Sequence, residues 1–97
     1  MLILRTLQTQ SLHGWAIAER IQLISEEVLR VHQGSLYPAL HRLEHQGWIV
    51  AKWGETAAGR RAKYYSLTRS GRRQLERETE EWTRRASAVA RLLKAEG

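Results

Sequence analysis

Residues 69–94 contain no proline, and their apolar or small positions are Leu75, Thr79, Trp82, Ala86, Val89 and Leu93. The intervals of 4, 3, 4, 3 and 4 residues mark a coiled-coil seam. A helix of about 26 residues is roughly 39 Å long. A chain of 97 residues forms one small core, and that core cannot cover such a length. The excess must bury its seam on another chain, so the sequence expects a homodimer.

The same size excludes a two-domain enzyme and leaves little apolar material for a deep catalytic cavity. There is no cysteine, which excludes a disulfide framework, a thiolate metal site and a thiol nucleophile. The opening run MLILRTLQTQ carries Arg5 and is too short for a signal sequence or a membrane span, so a cytoplasmic protein is expected. Sixteen Lys+Arg against ten Asp+Glu give a net charge of +6. That balance favours nucleic acid or another acidic surface as the partner. The charge is also segregated. Arg60, Arg61, Lys63, Arg69, Arg72 and Arg73 form a stretch without an acid, and four glutamates follow between Glu76 and Glu81.

Along the chain, Leu2–Gln8 suits a short helix that starts almost at Met1 without a capping residue, which leaves open a start further upstream. Thr9–Leu12 reads as a polar connection. A second helix opens at His13-Gly14, with Ile17, Ala18, Ile21 and Ile24 as its apolar stripe. Glu26–Val31 reads as a loop or a single short strand. A third helix runs from about Gly34 to Gln46, with Leu36, Leu40 and Leu43 on one face, Pro38 in its first turn and Gly47 beyond its end. Trp48–Trp53 and Ala62–Leu67 read as a hairpin with a mobile tip, GETAAGRR. Thr68 then caps the long helix. The order helix, helix, helix, hairpin, long helix is that of a winged helix-turn-helix. The fold class is mainly α with a small β-hairpin (α+β), with residues 1–68 as the DNA-binding domain and 69–97 as the dimerisation helix.

A DNA-reading helix needs one face in the core and the other free to enter a major groove about 12 Å wide. The third helix offers Gly34, Ser35, Tyr37, Pro38, His41 and Arg42 opposite its leucines. Arg60, Arg61 and Lys63 on the hairpin suit backbone phosphates or a minor groove. Arg69, Arg72 and Arg73 sit at the positive end of a helix dipole, an unfavourable place for cations that an anionic partner would explain. His41 and His45 are four residues apart, but without cysteine or a nearby carboxylate no metal site is expected, nor any cofactor. Trp48 and Trp53 read as core and strand-end packing. Trp82 either packs on the seam or gives a planar aromatic effector a flat wall between subunits.

GSLYPALHRLEHQGWI, then KWG, then GRRAKYYSLT and GRRQLERE strongly resemble the PadR family of bacterial transcriptional regulators, and HGWAIAERI resembles the family's HGY-type helix with Trp15 in place of the tyrosine. The resemblance covers almost the whole chain. It implies a dimeric winged-helix repressor on a pseudo-palindromic operator. By it, Ser35, Tyr37 and Pro38 approach DNA from the recognition helix, and Arg61 and Lys63 from the wing. The long last helix dimerises together with the first, whose Leu4 and Leu7 are expected at the interface. Relatives usually have several residues before the segment that starts here, and larger members carry a separate helical domain after the wing. This chain resembles the short type with a single last helix. The rival readings are a nonspecific nucleic-acid-binding dimer and a protein-interaction adaptor built on the long helix.

Overall fold

A computed structural model describes residues 2–26, 29 and 31–96. Its elements are α1 (Leu2–Thr6), β1 (Leu12–His13), α2 (Gly14–Ile24), α3 (Gln33–His45), β2 (Ile49–Glu55), β3 (Arg61–Leu67) and α4 (Arg69–Glu96). The strands form one antiparallel sheet in the order β1-β3-β2. This is the expected α+β winged helix with a long final helix.

Several boundaries differ from the sequence reading. The segment read as a polar connection ends in β1, where Leu12 pairs with Tyr65 and His13 with Tyr64. Two residues are too few for an alternation signal, and their partners lie far along the chain. The segment read as a loop or short strand includes Glu27, Val28 and Arg30, which lie outside the described residues. Also, α3 starts one residue earlier than expected, and Pro38, expected in the first turn, lies in the second. There it removes the amide bond that would have returned to the Gly34 carbonyl.

The core joins α1 (Leu4), α2 (Ile17, Ile21), α3 (Leu36, Leu40), both long strands (Ile49, Tyr65) and α4 (Leu75), with Leu7 just after α1. Leu4 and Leu7, expected at a dimer interface, are 0% and 1% exposed within the protomer, and Leu75 on the seam is 5% exposed. These three leucines pack in the chain's own core. Burying each stabilises the fold by about 1.5–3 kcal/mol.

Helix α3 ends in a Schellman motif. Gly47 takes φ +79°, its amide donates to Glu44 O at 2.9 Å, and the Trp48 amide donates to Leu43 O at 3.1 Å. Thr68 joins this end to α4. Its hydroxyl donates to Gly47 O at 2.6 Å and accepts from the Gly71 amide at 3.0 Å, the N-cap read from the sequence. Beyond its first turns α4 leaves the body of the protein, and every residue from Thr79 to Ala95 is exposed.

Candidate nucleic-acid interface

The leucine face of α3 is in the core, so its opposite face is turned to solvent: Gly34, Ser35, Tyr37, Pro38, His41 and Arg42 are all exposed. Tyr37 leans on the start of α2, where a Cβ on Gly14 would meet the phenol oxygen at 3.0 Å. The start of α2 is capped by His13, whose Nδ1 accepts from the Ala16 amide at 3.3 Å. The His13 ring meets Tyr64 edge-on, with centroids 5.4 Å apart. Helices α3 and α2 and the sheet thus brace one another.

The wing carries Arg60, Arg61 and Lys63, all exposed. Its tip, expected to be mobile, is closed by hydrogen bonds from the Thr56 amide to Arg60 O at 2.8 Å and from the Gly59 amide to Thr56 O at 2.9 Å. The Arg60 amide also donates to the Thr56 hydroxyl at 3.2 Å, and the Tyr64 hydroxyl to Glu55 O at 3.0 Å.

Between wing and helices lies an open cleft of about 920 Å³. Tyr37 and His41 line it from α3, and Arg60, Arg61 and Lys63 from the wing, so these five expected site residues share one concavity. Gly34, Ser35, Pro38 and Arg42 are exposed on α3 outside its lining. The cleft wall also includes Tyr65, whose hydroxyl is pushed above its ordinary value of 10.0 by burial first, then by Glu44 and Tyr37.

Two tryptophans missed as site residues line the same space. Trp15 and Trp53 are each 57% exposed. Trp48 packs against the core as expected, but Trp53 does not. The guanidinium of Arg61 lies over its ring, 5.1 Å from the centroid, with the Lys63 ammonium at 6.0 Å. A signal was available: Trp53 shares the alternating face of Ile49 and Ala51, but stands two residues nearer the tip, past the core. The exposed row of α4 includes Trp82, Val89 and Leu93 of the seam, and adds Leu92, at 63% exposure.

Arg72 has a structural role of its own. Its Nη1 donates to Gln8 O at 3.2 Å, tying α4 to the end of the α1 segment. That contact accounts for one cation at the helix start without an external anion. Among the described residues no three histidines or acids are grouped to hold a metal ion, and no helix is long and apolar enough to cross a membrane.

Residues 3–77 match the family model for the transcriptional regulator PadR-like family. A solved protein of Streptococcus mutans is 31% identical, with 96% of this chain and 83% of that chain covered and a TM-score of 0.85. A PadR family transcription regulator from Clostridium difficile is 29% identical over 95% of this chain and 94% of its own, with a TM-score of 0.81. Bacillus subtilis PadR, solved in complex with operator DNA, is 24% identical over 80% of this chain and 43% of that one, with a TM-score of 0.72, a likeness of fold.

Proposed function

The chain belongs to the PadR-like family of transcriptional regulators, and from that premise we propose that it works as a homodimeric repressor on a pseudo-palindromic operator in the cytoplasm. It is a DNA-binding winged-helix protein. The observation that carries the finer reading is the facing of two surfaces. The free side of α3 and the basic edge of the wing, Arg60, Arg61 and Lys63, border a single open cleft. A duplex has that pairing of features, a groove for the helix and a phosphate ridge for the cations.

In this reading Gly34, Ser35, Tyr37, Pro38, His41 and Arg42 enter the major groove, where base edges supply selectivity. The wing residues contribute affinity through phosphate neutralisation. Two recognition helices need a spacing of about 34 Å to reach successive major grooves. The exposed apolar row of α4, Trp82, Val89, Leu92 and Leu93, supplies the twofold contact that sets it. The likeness in fold to Bacillus subtilis PadR, solved on operator DNA, supports the docking. Residues 69–97 then act as the dimerisation element and 1–68 as the reading head. Trp82 gives a planar aromatic effector a wall at the dimer seam, and such a ligand acts only by binding two dimer geometries unequally.

The test is a gel shift with the protein's own promoter against random DNA at equal salt. Preferential retention of the promoter supports the operator reading. Equal retention makes the protein a nonspecific nucleic-acid binder, and no retention of either makes the long helix a protein adaptor.

A further inference from the structure

The wing strands overrun the core. Ile49 pairs with Leu67 and Ala51 with Tyr65 on the face turned to the helices. The next pairs on that face are Trp53 with Lys63 and Glu55 with Arg61. Ile49 and Tyr65 are 3% and 4% exposed, and Trp53 is 57% exposed. The core therefore ends between Ala51 and Trp53. An indole placed there packs little of its surface into its own domain. What it meets is charge: Arg61 at 5.1 Å and Lys63 at 6.0 Å from the ring centroid, both within the roughly 6 Å reach of a cation–π contact.

The chemistry of this clamp differs from that of an ion pair. A carboxylate takes the N–H fork of a guanidinium and cancels its charge. A ring face attracts the cation through its quadrupole, so the charge stays whole and the N–H donors, which lie in the guanidinium plane, stay free. A phosphate needs both the charge and the donors. An arginine already fixed over a ring also loses less rotamer freedom when it binds.

We propose that Trp53 is the positioning residue of the wing, holding Arg61, and more loosely Lys63, charged and with donors free for the phosphate backbone of duplex DNA. The inference rests on the reading that these wing cations contact phosphates.

Phosphate contacts do not depend on sequence, so a duplex of random sequence serves as probe, with fluorescence anisotropy read over a salt series. Arg61→Ala weakens binding and lowers the slope of log affinity against log salt by about one. Trp53→Leu weakens binding about threefold, the scale of an exposed cation–π contact, and leaves that slope unchanged because both cations remain. Trp53→Phe, which keeps a ring face, stays nearer to the parent affinity. In the Arg61→Ala background, Trp53→Leu loses more than half of its effect, because only Lys63 is left over the ring. Thermal melts confirm that each variant is folded, and Trp53→Phe carries the comparison if Trp53→Leu is not. Equal losses from Trp53→Leu in both backgrounds overturn the proposal, since the indole would then act without Arg61. So does a Trp53→Leu that binds like the parent while Arg61→Ala does not. If Arg61→Ala changes neither affinity nor slope, the phosphate reading of the wing fails first and the positioning role with it.

Discussion

The carbonyl oxygen of Trp48 lies so close to the Cα of Gly71 that a Cβ at that position would overlap it. The same carbonyl accepts from the Thr68 amide at 3.0 Å, so it cannot turn away without losing that bond. Here the first turn of α4 is pressed onto the turn that follows α3. Any side chain at Gly71 must push the two apart. Gly71→Ala is expected to destabilise the fold by about 2 kcal/mol or more, the upper range of overpacking a closed site. Urea unfolding checks this: the midpoint falls while the slope stays constant. A midpoint equal to the parent's would mean that the junction yields freely.

Tyr37 is half exposed, with its phenol against Gly14 at the start of α2. Tyr37→Phe removes only a hydroxyl. DNA affinity should fall by roughly 1 kcal/mol, the scale of one hydrogen bond, with the melting temperature kept. A stability role predicts the reverse, so both are measured on one preparation.

Gly14→Ala tests the same contact from the other side. The new methyl would stand 3.0 Å from the Tyr37 ring and hydroxyl. That ring is half exposed and can swing away, so the methyl displaces the side chain rather than the backbone. The melting temperature should therefore hold while DNA affinity drops. Unchanged affinity would separate the position of Tyr37 from DNA binding.

The exposed end of α4 should hold a second copy. A dimer is expected at micromolar concentration by sedimentation. Val89→Glu places a charge in the middle of the row, and an unpaired charge buried in a contact costs about 3 kcal/mol or more. That corresponds to at least roughly a hundredfold weaker dimer. The protomer body should keep its fold, because Val89 is 55% exposed. A folded wild-type monomer at that concentration would remove the dimer reading.

Tyr65 predicts an alkaline limit. Its folded value is raised above 10.0, so the native state holds this proton more tightly than the unfolded chain. The resulting stability is complete below pH 10 and is lost as pH rises through the raised value, with a slope of at most about 1.4 kcal/mol per pH unit for one proton. Tyr65→Phe should flatten that decline in urea unfolding between pH 9 and 11. An identical decline in the variant would assign it to other groups.

The sequence by itself determined whatever depends on neighbours along the chain. The intervals of Leu36, Leu40 and Leu43 determined the buried face of α3, and so its free face. Gly47 and Thr68 marked a helix end and a helix start by the backbone and capping chemistry of single residues. The seam from Leu75 to Leu93 required a long helix, and the GSLYPAL and RAKYY strings resembled a family that the match over residues 3–77 bears out. Tertiary structure decided the rest, because it depends on residues distant in sequence. Leu12 becomes a strand residue only when Tyr65 arrives beside it. Leu4, Leu7 and Leu75 show the same apolar character whether they face a partner or their own core, and only packing assigned them to the core. Trp53 had the spacing of a core residue, but the helices end before they reach it. The side chain was left over the cleft with Arg61 across its ring. Periodicity tells which side of a strand is apolar, and the length of the body beneath it decides where that side stops being covered.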